Sequence, residues 1–503
     1  MWFDLTLEAR DGARHTLRYN PHTSECEGLP LPMEPGVFEP VPRVSKDQPL
    51  GKSRAPRVLK IQLGLSCNYA CSYCNQAFQI ADATVSKLAD VEHFLTQLDG
   101  WIAQAPEQIE IWGGEPFLYW AKIKRLVPAL AERFPGVLFS IITNGSLLNR
   151  EKLDFIAAHD IAITISHDGP GQHLRGPDPL DDPDKLQWIE TLLAERADKV
   201  GFNAVLTREH HDLQALKAWF ADRVGPEIHV GLEGVVNVYD AATALGTGRF
   251  EPAELNSLTR SIFEALVEDS NAFGLGERID EFYASIQRQR PLEALGQKCG
   301  MDREDTIAVD LRGNVMTCQN TGAKGVHKIG HVEAFKDIAL DTATHFAFRD
   351  ECIKCPVVQL CKGSCMFLEG DFFKQSCANE FAFNMGGVDG GGVAFDGDGG
   401  GRGRCNRSRK LIHVHKMSLN EILKGTSHPS KTRFKRSTPS TTSSALPRAS
   451  TFSRTARPPT FATRSCVFRM IRGSWMIVAP GSLARNASAS RPTTYSPSMN
   501  APV

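Results

Sequence analysis

Thirteen cysteines stand in a chain of 503 residues, and their spacing is what gives them chemistry. Cys67-Asn-Tyr-Ala-Cys71-Ser-Tyr-Cys74 is a C-x3-C-x2-C loop. Its three thiolates can hold three corners of one 4Fe-4S cube, leaving one iron without a protein ligand and open to chemistry. A three-cysteine zinc site completed by a remote histidine, or a set of unligated thiols, would use the same spacing. Seven more fall at Cys299, Cys318, Cys352-x2-Cys355-x5-Cys361-x3-Cys365 and Cys377. Pairs such as Cys352 and Cys355 suit a zinc ribbon, but seven thiols are too many for one zinc and fit two clusters better. Cys26, Cys405 and Cys466 stand apart and read as free thiols.

The pattern around the first loop says how it is held. From Arg57 to about Val235 short apolar runs alternate with helical stretches, as in strands joined by crossover helices in a parallel sheet. The runs are Val58 to Leu63, Ile109 to Trp112, Leu138 to Thr143, Ile161 to Ser166, Val200 to Leu206 and Ile228 to Leu232. Six such units predict an α/β fold, a (βα)6 partial TIM barrel with its chemistry at the carboxyl ends of the strands. The cysteine loop follows the first strand and Gly113-Gly114-Glu115-Pro116 the second. Thr143-Asn144-Gly145 ends the third and Ser166-His167-Asp168-Gly169-Pro170 the fourth. Each of these alone is an ordinary turn sequence.

Together they resemble the radical S-adenosylmethionine (SAM) enzymes, whose signature is this three-cysteine loop with an aromatic residue before its last cysteine, here Tyr73. By that resemblance Gly113 and Gly114 approach the methionyl amino group of SAM and Glu115 accepts from it. Asn144 and Ser166 stand at strand ends similar to those of the sulfatase-maturating and peptide-modifying branch, where Ser166 would reach the SAM ribose. Arg175 would pair with the SAM carboxylate, and Asn203 on the fifth strand is a further ribose candidate. The implied chemistry is one-electron cleavage of SAM at the open iron to methionine and a 5'-deoxyadenosyl radical, which takes hydrogen from unactivated carbon. The protein's part is orientation and exclusion of solvent. An electron donor such as flavodoxin or ferredoxin is implied with it.

The second region resembles the SPASM extension of radical SAM maturases, with thirteen residues from Cys299 to Gly313, four from there to Cys318, then the four-cysteine run and Cys377. By that resemblance Cys299, Cys318 and Cys365 hold an inner auxiliary 4Fe-4S cluster, and Cys352, Cys355, Cys361 and Cys377 an outer one. Sulfatase maturases carry an eighth cysteine shortly before the first of these. Here Glu293 is near that place, which implies an oxygen ligand or an open iron. The departure favours modification or cross-linking of a ribosomal peptide, with formylglycine formation from Cys or Ser as the alternative. Such oxidations release a proton, which a strand-end carboxylate would accept. Glu233 and Asp240, after the sixth strand, are of the right type, although solvated loop acids are the simpler reading.

The remainder of the chain bounds this reading. With 42% apolar and 23% charged residues the chain is globular for most of its length. It has no run of eighteen apolar residues and starts with acids, so a soluble, cytoplasmic protein with no membrane partner is expected. The formal net charge of −1 is a cancellation, since residues 1–401 carry −19 and residues 402–503 carry +18. The Arg/Ser/Thr/Pro-rich stretch beyond the glycine run 386–403 reads as disordered, or as translation out of frame, rather than as a nucleic-acid-binding arm. The expected domains are a β-hairpin extension and linker (1–55), the radical SAM barrel (56–235), a helical connection (236–298), the SPASM domain (299–385) and the tail (386–503). Truncation after about Glu380 is expected to leave the clusters intact. A rival from another class, a non-catalytic zinc or iron-sulfur binding module, would use the same cysteines but has no need of Gly113-Gly114-Glu115.

Overall fold

The computed structural model describes residues 2–9, 14–28, 33–38, 44–76, 86–237 and 247–391, with short strands at 412–414, 469–471 and 474–476. Most of the expected tail, with Cys405 and Cys466, therefore lies outside the described residues. The chain starts with an antiparallel sheet of β1 (Phe3–Ala9), β2 (Arg14–Asn20) and β3 (Glu25–Glu27), and Ile412–Val414 pairs with the free edge of β1. The Asp11-Gly12 turn lies outside the described residues.

The barrel strands follow as β4 (Val58–Gln62), β5 (Gln108–Trp112), β6 (Leu138–Thr143), β7 (Ala162–Ser166), β8 (Val200–Leu206) and β9 (Val230–Val235). Neighbours in sequence are neighbours in space, all parallel. Helices α1 (Leu88–Trp101), α2 (Trp120–Arg133), α3 (Arg150–Ala158), α4 (Pro183–Glu195) and α5 (Leu213–Arg223) make the crossovers. Their starts follow from capping chemistry. Asn149, Asp182 and Asp212 each accept a hydrogen bond from a backbone N–H of the first turn of α3, α4 and α5, which satisfies donors the helix cannot pair internally.

The strands carry two kinds of buried face. Leu59, Ile61, Ile109, Ile111, Phe139, Ile141, Ile163 and Ile165 share one apolar core with Val91, Phe94 and Leu98 of α1 and with Ile123, Leu126 and Leu130 of α2. Each such side chain contributes about 1.5–3 kcal/mol by leaving water. The alternate positions are buried yet polar, namely Lys60, Gln62, Gln108, Glu110 and Ser140. Lys60, Glu110 and Ser140 lie at one level of the sheet, with Lys60 Nζ 3.5 Å from a Glu110 carboxylate oxygen.

Three features depart from expectation. The sixth strand is Val230–Val235 rather than 228–232, with a register irregularity against β8 between Ala204 and Val205, so Glu233 lies within the strand. The second cysteine region is built onto the barrel sheet. Its strand β10 (Thr306–Asp310) runs parallel to β4, pairing Thr306 with Val58 and Asp310 with Gln62, and β11 (Asn314–Met316) and β12 (Lys328–His331) extend the sheet to nine strands. Finally, the helix Gly370–Gly391 runs through the start of the glycine-rich stretch. It packs on the helix Pro252–Glu268, where Thr259 Oγ1 donates to the Ala382 carbonyl at 3.0 Å. A Cβ on Gly386 would fall 2.5 Å from the Thr259 carbonyl, so here glycine allows close helix contact rather than disorder.

Candidate active site

The cysteine loop leaves β4 through Leu63-Gly64-Leu65-Ser66, and the two glycines after β5 form its seat. The Gly114 N–H donates to the Gly64 carbonyl at 3.1 Å and the Glu115 N–H to the Ser66 carbonyl at 3.0 Å. A Cβ on Gly114 would lie 2.4 Å from the Ser66 oxygen and 2.5 Å from the Leu65 oxygen; on Gly113 it would lie 3.1 Å from the Gly64 oxygen. The glycines therefore admit the root of the loop. Glu115 is 1% exposed. Burial pushes its carboxyl up, while hydrogen bonds from the Asn144 and Phe117 N–H groups and Thr143 Oγ1, all 2.8–3.0 Å, pull it down. Glu115 thus braces the ends of the second and third strands. Asn144 completes the brace by donating to Asn68 Oδ1 inside the cysteine loop at 2.9 Å.

The loop's other side is held from the fourth strand end. The Ser72 N–H donates to the Leu174 carbonyl at 2.8 Å. The Tyr73 hydroxyl donates to Asp168 Oδ2, and Asp168 Oδ1 accepts from the Val205 N–H at 3.0 Å. The Arg175 guanidinium is held in part by the protein itself. Its Nη1 donates to the Tyr73 hydroxyl at 2.9 Å and lies 3.5 Å from Asp168 Oδ1. Burial pushes up the thiols of Cys67, Cys71 (to about 11) and Cys74, and the nearby Arg175 charge pulls each back. Arg175 is thus the cation beside all three. The Tyr69 and Gln76 N–H groups donate to the sulfurs of Cys67 and Cys74, both at 3.4 Å, the kind of bond that tunes an iron-bound thiolate.

Ser166 and Asn203 stand opposite each other on β7 and β8. Asn203 Nδ2 donates to Glu233 at 3.0 Å, and the Glu233 carbonyl accepts from Lys298. Asp240 lies outside the described residues. Arg175 Nε, Gln172 Nε2 and Asn203 Oδ1 are buried with no hydrogen-bond partner in the structure. Orphan polar atoms at such depth are costly and rare. Two donors on the segment that closes over the three-thiol loop, and an acceptor on the neighbouring strand level with Ser166, fit a thiolate-bound 4Fe-4S group with a charged, hydroxyl-bearing ligand.

The cysteines further on gather in space. Desolvation, then the Cys318 thiol, push the Cys299 thiol up, although part of the residue stays exposed. Cys361 is pushed up by burial, by Glu380 and by the thiols of Cys355, Cys377 and Cys352, so these four lie within electrostatic reach of one another. Cys365 packs on the same apolar cluster as Cys352, Cys355 and Cys377. Glu293 is turned elsewhere, to His22 at 3.7 Å. The oxygen beside Cys299 belongs to buried Gln297, whose Oε1 is 3.9 Å from the sulfur. The two regions also touch, since Gln76 Nε2 donates to Asn320 Oδ1 at 3.2 Å and Gln62 Nε2 to the Gln319 carbonyl at 2.6 Å. Asp168, Gln172, Gln62 and Gln297 were not singled out as site residues from sequence. For Gln62, with Lys60 and Glu110, the signal was present as period-two polar positions within strands flanked by crossovers.

Known proteins are similar to parts of this chain. Among curated proteins, the chain is similar to the radical SAM cyclopropyl synthase TigE of Paramaledivibacter caminithermalis, 26% identical over 175 residues, covering 31% of this chain and 37% of that one. It is also similar to the S-adenosylmethionine-dependent nucleotide dehydratase of Psychrobacter lutiphocae, 33% identical over 113 residues, covering 20% and 37%. The chain thus spans little more than a third of the length of these relatives. Among solved structures, anSMEcpe with bound AdoMet and Cp18Cys peptide aligns over 65% of this chain and 96% of that one, at 16% identity and a TM-score of 0.48. Streptococcus suis SuiB aligns over 62% and 73%, at 18% identity and a TM-score of 0.42. The sequence model of the radical SAM superfamily matches residues 61–175. That match opens inside β4 and ends on Arg175, so the segment holding the cysteine loop and its strand-end partners is similar to the radical SAM superfamily, a family whose chemistry uses S-adenosylmethionine and a 4Fe-4S cluster.

Proposed function

We propose that this protein is a cytoplasmic radical SAM/SPASM maturase that oxidises or cross-links a side chain of a peptide or protein. Cys67, Cys71 and Cys74 would hold the SAM-binding 4Fe-4S cluster. Cys299, Cys318 and Cys365 would hold an inner auxiliary cluster, and Cys352, Cys355, Cys361 and Cys377 an outer one. The observation that carries this reading is the packing of Cys352, Cys355, Cys365 and Cys377 on one apolar cluster, in a region whose first strand extends the barrel sheet beside β4, from which the cysteine loop leaves. When bound, SAM and the reduced cluster supply a 5'-deoxyadenosyl radical, with an electron delivered by a flavodoxin or ferredoxin.

The chain's own residues supply position and dryness. Gly113, Gly114, Glu115 and Asn144 fix the cysteine loop, while Tyr73, Asp168 and Arg175 close its outer side. The unpartnered Arg175 Nε and Asn203 Oδ1 are suited to the ligand's carboxylate and a ribose hydroxyl, and Ser166 stands level with Asn203. Glu233, exposed and at the sixth strand, is the candidate acceptor for a proton leaving the substrate. TigE is by name a cyclopropyl synthase, a bond-forming activity, in keeping with bond formation over formylglycine production.

Anaerobic reconstitution followed by iron, sulfide and 5'-deoxyadenosine measurement tests the proposal. About twelve irons per chain with deoxyadenosine formation are expected. Zinc in place of iron, or clusters that never cleave SAM with candidate peptides present, would leave a metal-stapled binding module instead. Product mass on Cys/Ser peptides and on cross-linkable peptides separates formylglycine formation from cross-linking.

A further inference from the structure

Besides the cysteines, two loops that follow barrel strands bring metal-ligating side chains together. After β7 the chain turns through Gly169–Leu174, and after β8 it turns through 207–210. His173 from the first loop and Glu209 and His210 from the second each offer one ligand atom, all within 4.8 Å of one another. We propose that these three residues bind one borderline divalent transition ion of the Zn2+ class and so staple the loops after the fourth and fifth strands.

Two imidazoles and a carboxylate are the protein ligands of zinc sites that keep an open fourth position. With bonds of about 2.1 Å, tetrahedral ligand atoms lie roughly 3.4 Å apart, so small rotations of exposed His173 and Glu209 and half-buried His210 complete the geometry. The imidazoles are also prepared. His173 Nδ1 lies 3.2 Å from the Pro170 carbonyl. A carbonyl only accepts, so the proton is on Nδ1 and the Nε2 lone pair is left for a ligand. This is the backbone-anchored arrangement common to metal-binding histidines. His210 is placed by a turn in which its N–H and carbonyl both pair with Thr207 at 3.2 Å. Its ring lies over the first loop, where a Cβ on Gly171 would meet Cδ2 at 3.2 Å, and meets the His173 ring edge-on at 5.3 Å. The first loop continues directly from Asp168, which holds Tyr73 of the cysteine loop, so a bound ion would stiffen the side of the barrel mouth that Arg175 closes. The site does not depend on the substrate proposed above.

The test uses full-length protein with clusters reconstituted anaerobically and loose metal removed by chelating resin. Zn2+ is titrated against a chromophoric chelator, and Co2+ serves as the spectroscopic probe. Wild type is expected to bind one more Zn2+ per chain than His173→Ala or His210→Ala. Affinity should fall by more than about 100-fold in either variant, beyond the 10–100-fold typical of losing an outer partner. Gly171→Ala, which only shifts the His210 ring, should fall within that smaller range. The Co2+ adduct should show weak visible bands without intense sulfur-to-cobalt absorption. Equal stoichiometry and affinity in wild type and His173→Ala, or sulfur absorption for the extra ion, would overturn the site. Should a histidine variant lose iron, exposed Glu209→Gln carries the same comparison, with equal Zn2+ affinity overturning the proposal and weakened affinity at full iron content supporting it.

Discussion

Gly114→Ala is the sharpest single perturbation of the proposed cofactor site. The new methyl would sit 2.4 Å from the Ser66 oxygen, and restoring an ordinary contact of 3.4 Å requires residues 65–66 to retreat by about 1 Å. That breaks the 3.0 Å hydrogen bond from Glu115 to Ser66 and displaces Cys67, the next residue. Overpacking against backbone costs about 1–3 kcal/mol and the lost hydrogen bond about 0.5–1.5 kcal/mol, so a destabilisation of roughly 2–4 kcal/mol is expected. After anaerobic reconstitution the variant should lack about four irons per chain and form no 5'-deoxyadenosine, while retaining its remaining clusters. Two companions grade the effect. In Gly113→Ala the nearest contact is 3.1 Å, so partial iron loss is expected. In Gly100→Ala, near the end of α1, the methyl meets nothing within 4 Å, and a gain of about 0.5–1 kcal/mol follows from helix propensity. Full iron and turnover in Gly114→Ala, or a different ranking of the three, would refute the argument that these glycines seat the loop.

Other outcomes follow from buried pairs and boundaries. Lys60→Met removes the cation facing buried Glu110, which keeps only neutral donors such as Trp112 Nε1 at 3.0 Å; a loss of about 3–5 kcal/mol is expected, largely recovered in Lys60→Met/Glu110→Gln, as read by thermal unfolding at fixed scan rate. The Asp178 carboxyl is held below its ordinary value: burial opposes this, but the hydrogen bond and charge of His167 at 2.9 Å, with the Leu180 N–H and Arg223, prevail. A depressed acid stabilises the fold fully above its unfolded pKa and loses that contribution as pH falls through the folded value. The Tm gap between wild type and Asp178→Asn should therefore be widest near pH 7 and shrink below about pH 4; a gap that widens with acid would contradict the pairing. Truncation after Gly391 is expected to keep all iron. Truncation after Glu380 removes buried Ala382 and Phe383 and should lower both Tm and iron content, in contrast to the boundary that composition alone suggested.

Much of the site is written in local spacing. Three thiols within eight residues must share one neighbourhood because the chain cannot carry them apart, so the cysteine loop was legible without a structure. The parallel strands were equally so, because helical and strand periodicities differ. Sequence by itself thus determined the barrel, the loop and the strand-end motifs that accompany it. What only the tertiary structure decided involves residues far apart in the chain. The pairing of Thr306 with Val58, which joins the second cysteine region to the barrel, depends on closing a loop through the whole domain. Arg175 is read in sequence as a partner for the SAM carboxylate, and the fold adds Asp168 and Tyr73, which no local pattern names. Glu293 lies near the place of a missing cysteine in sequence, yet the N-terminal segment draws it to His22 and leaves Gln297 beside Cys299. The physical reason is common to all three. Side-chain type and spacing limit which neighbours a residue can accept, but for partners distant in sequence the choice is made by backbone pairing and core packing, which no local window contains.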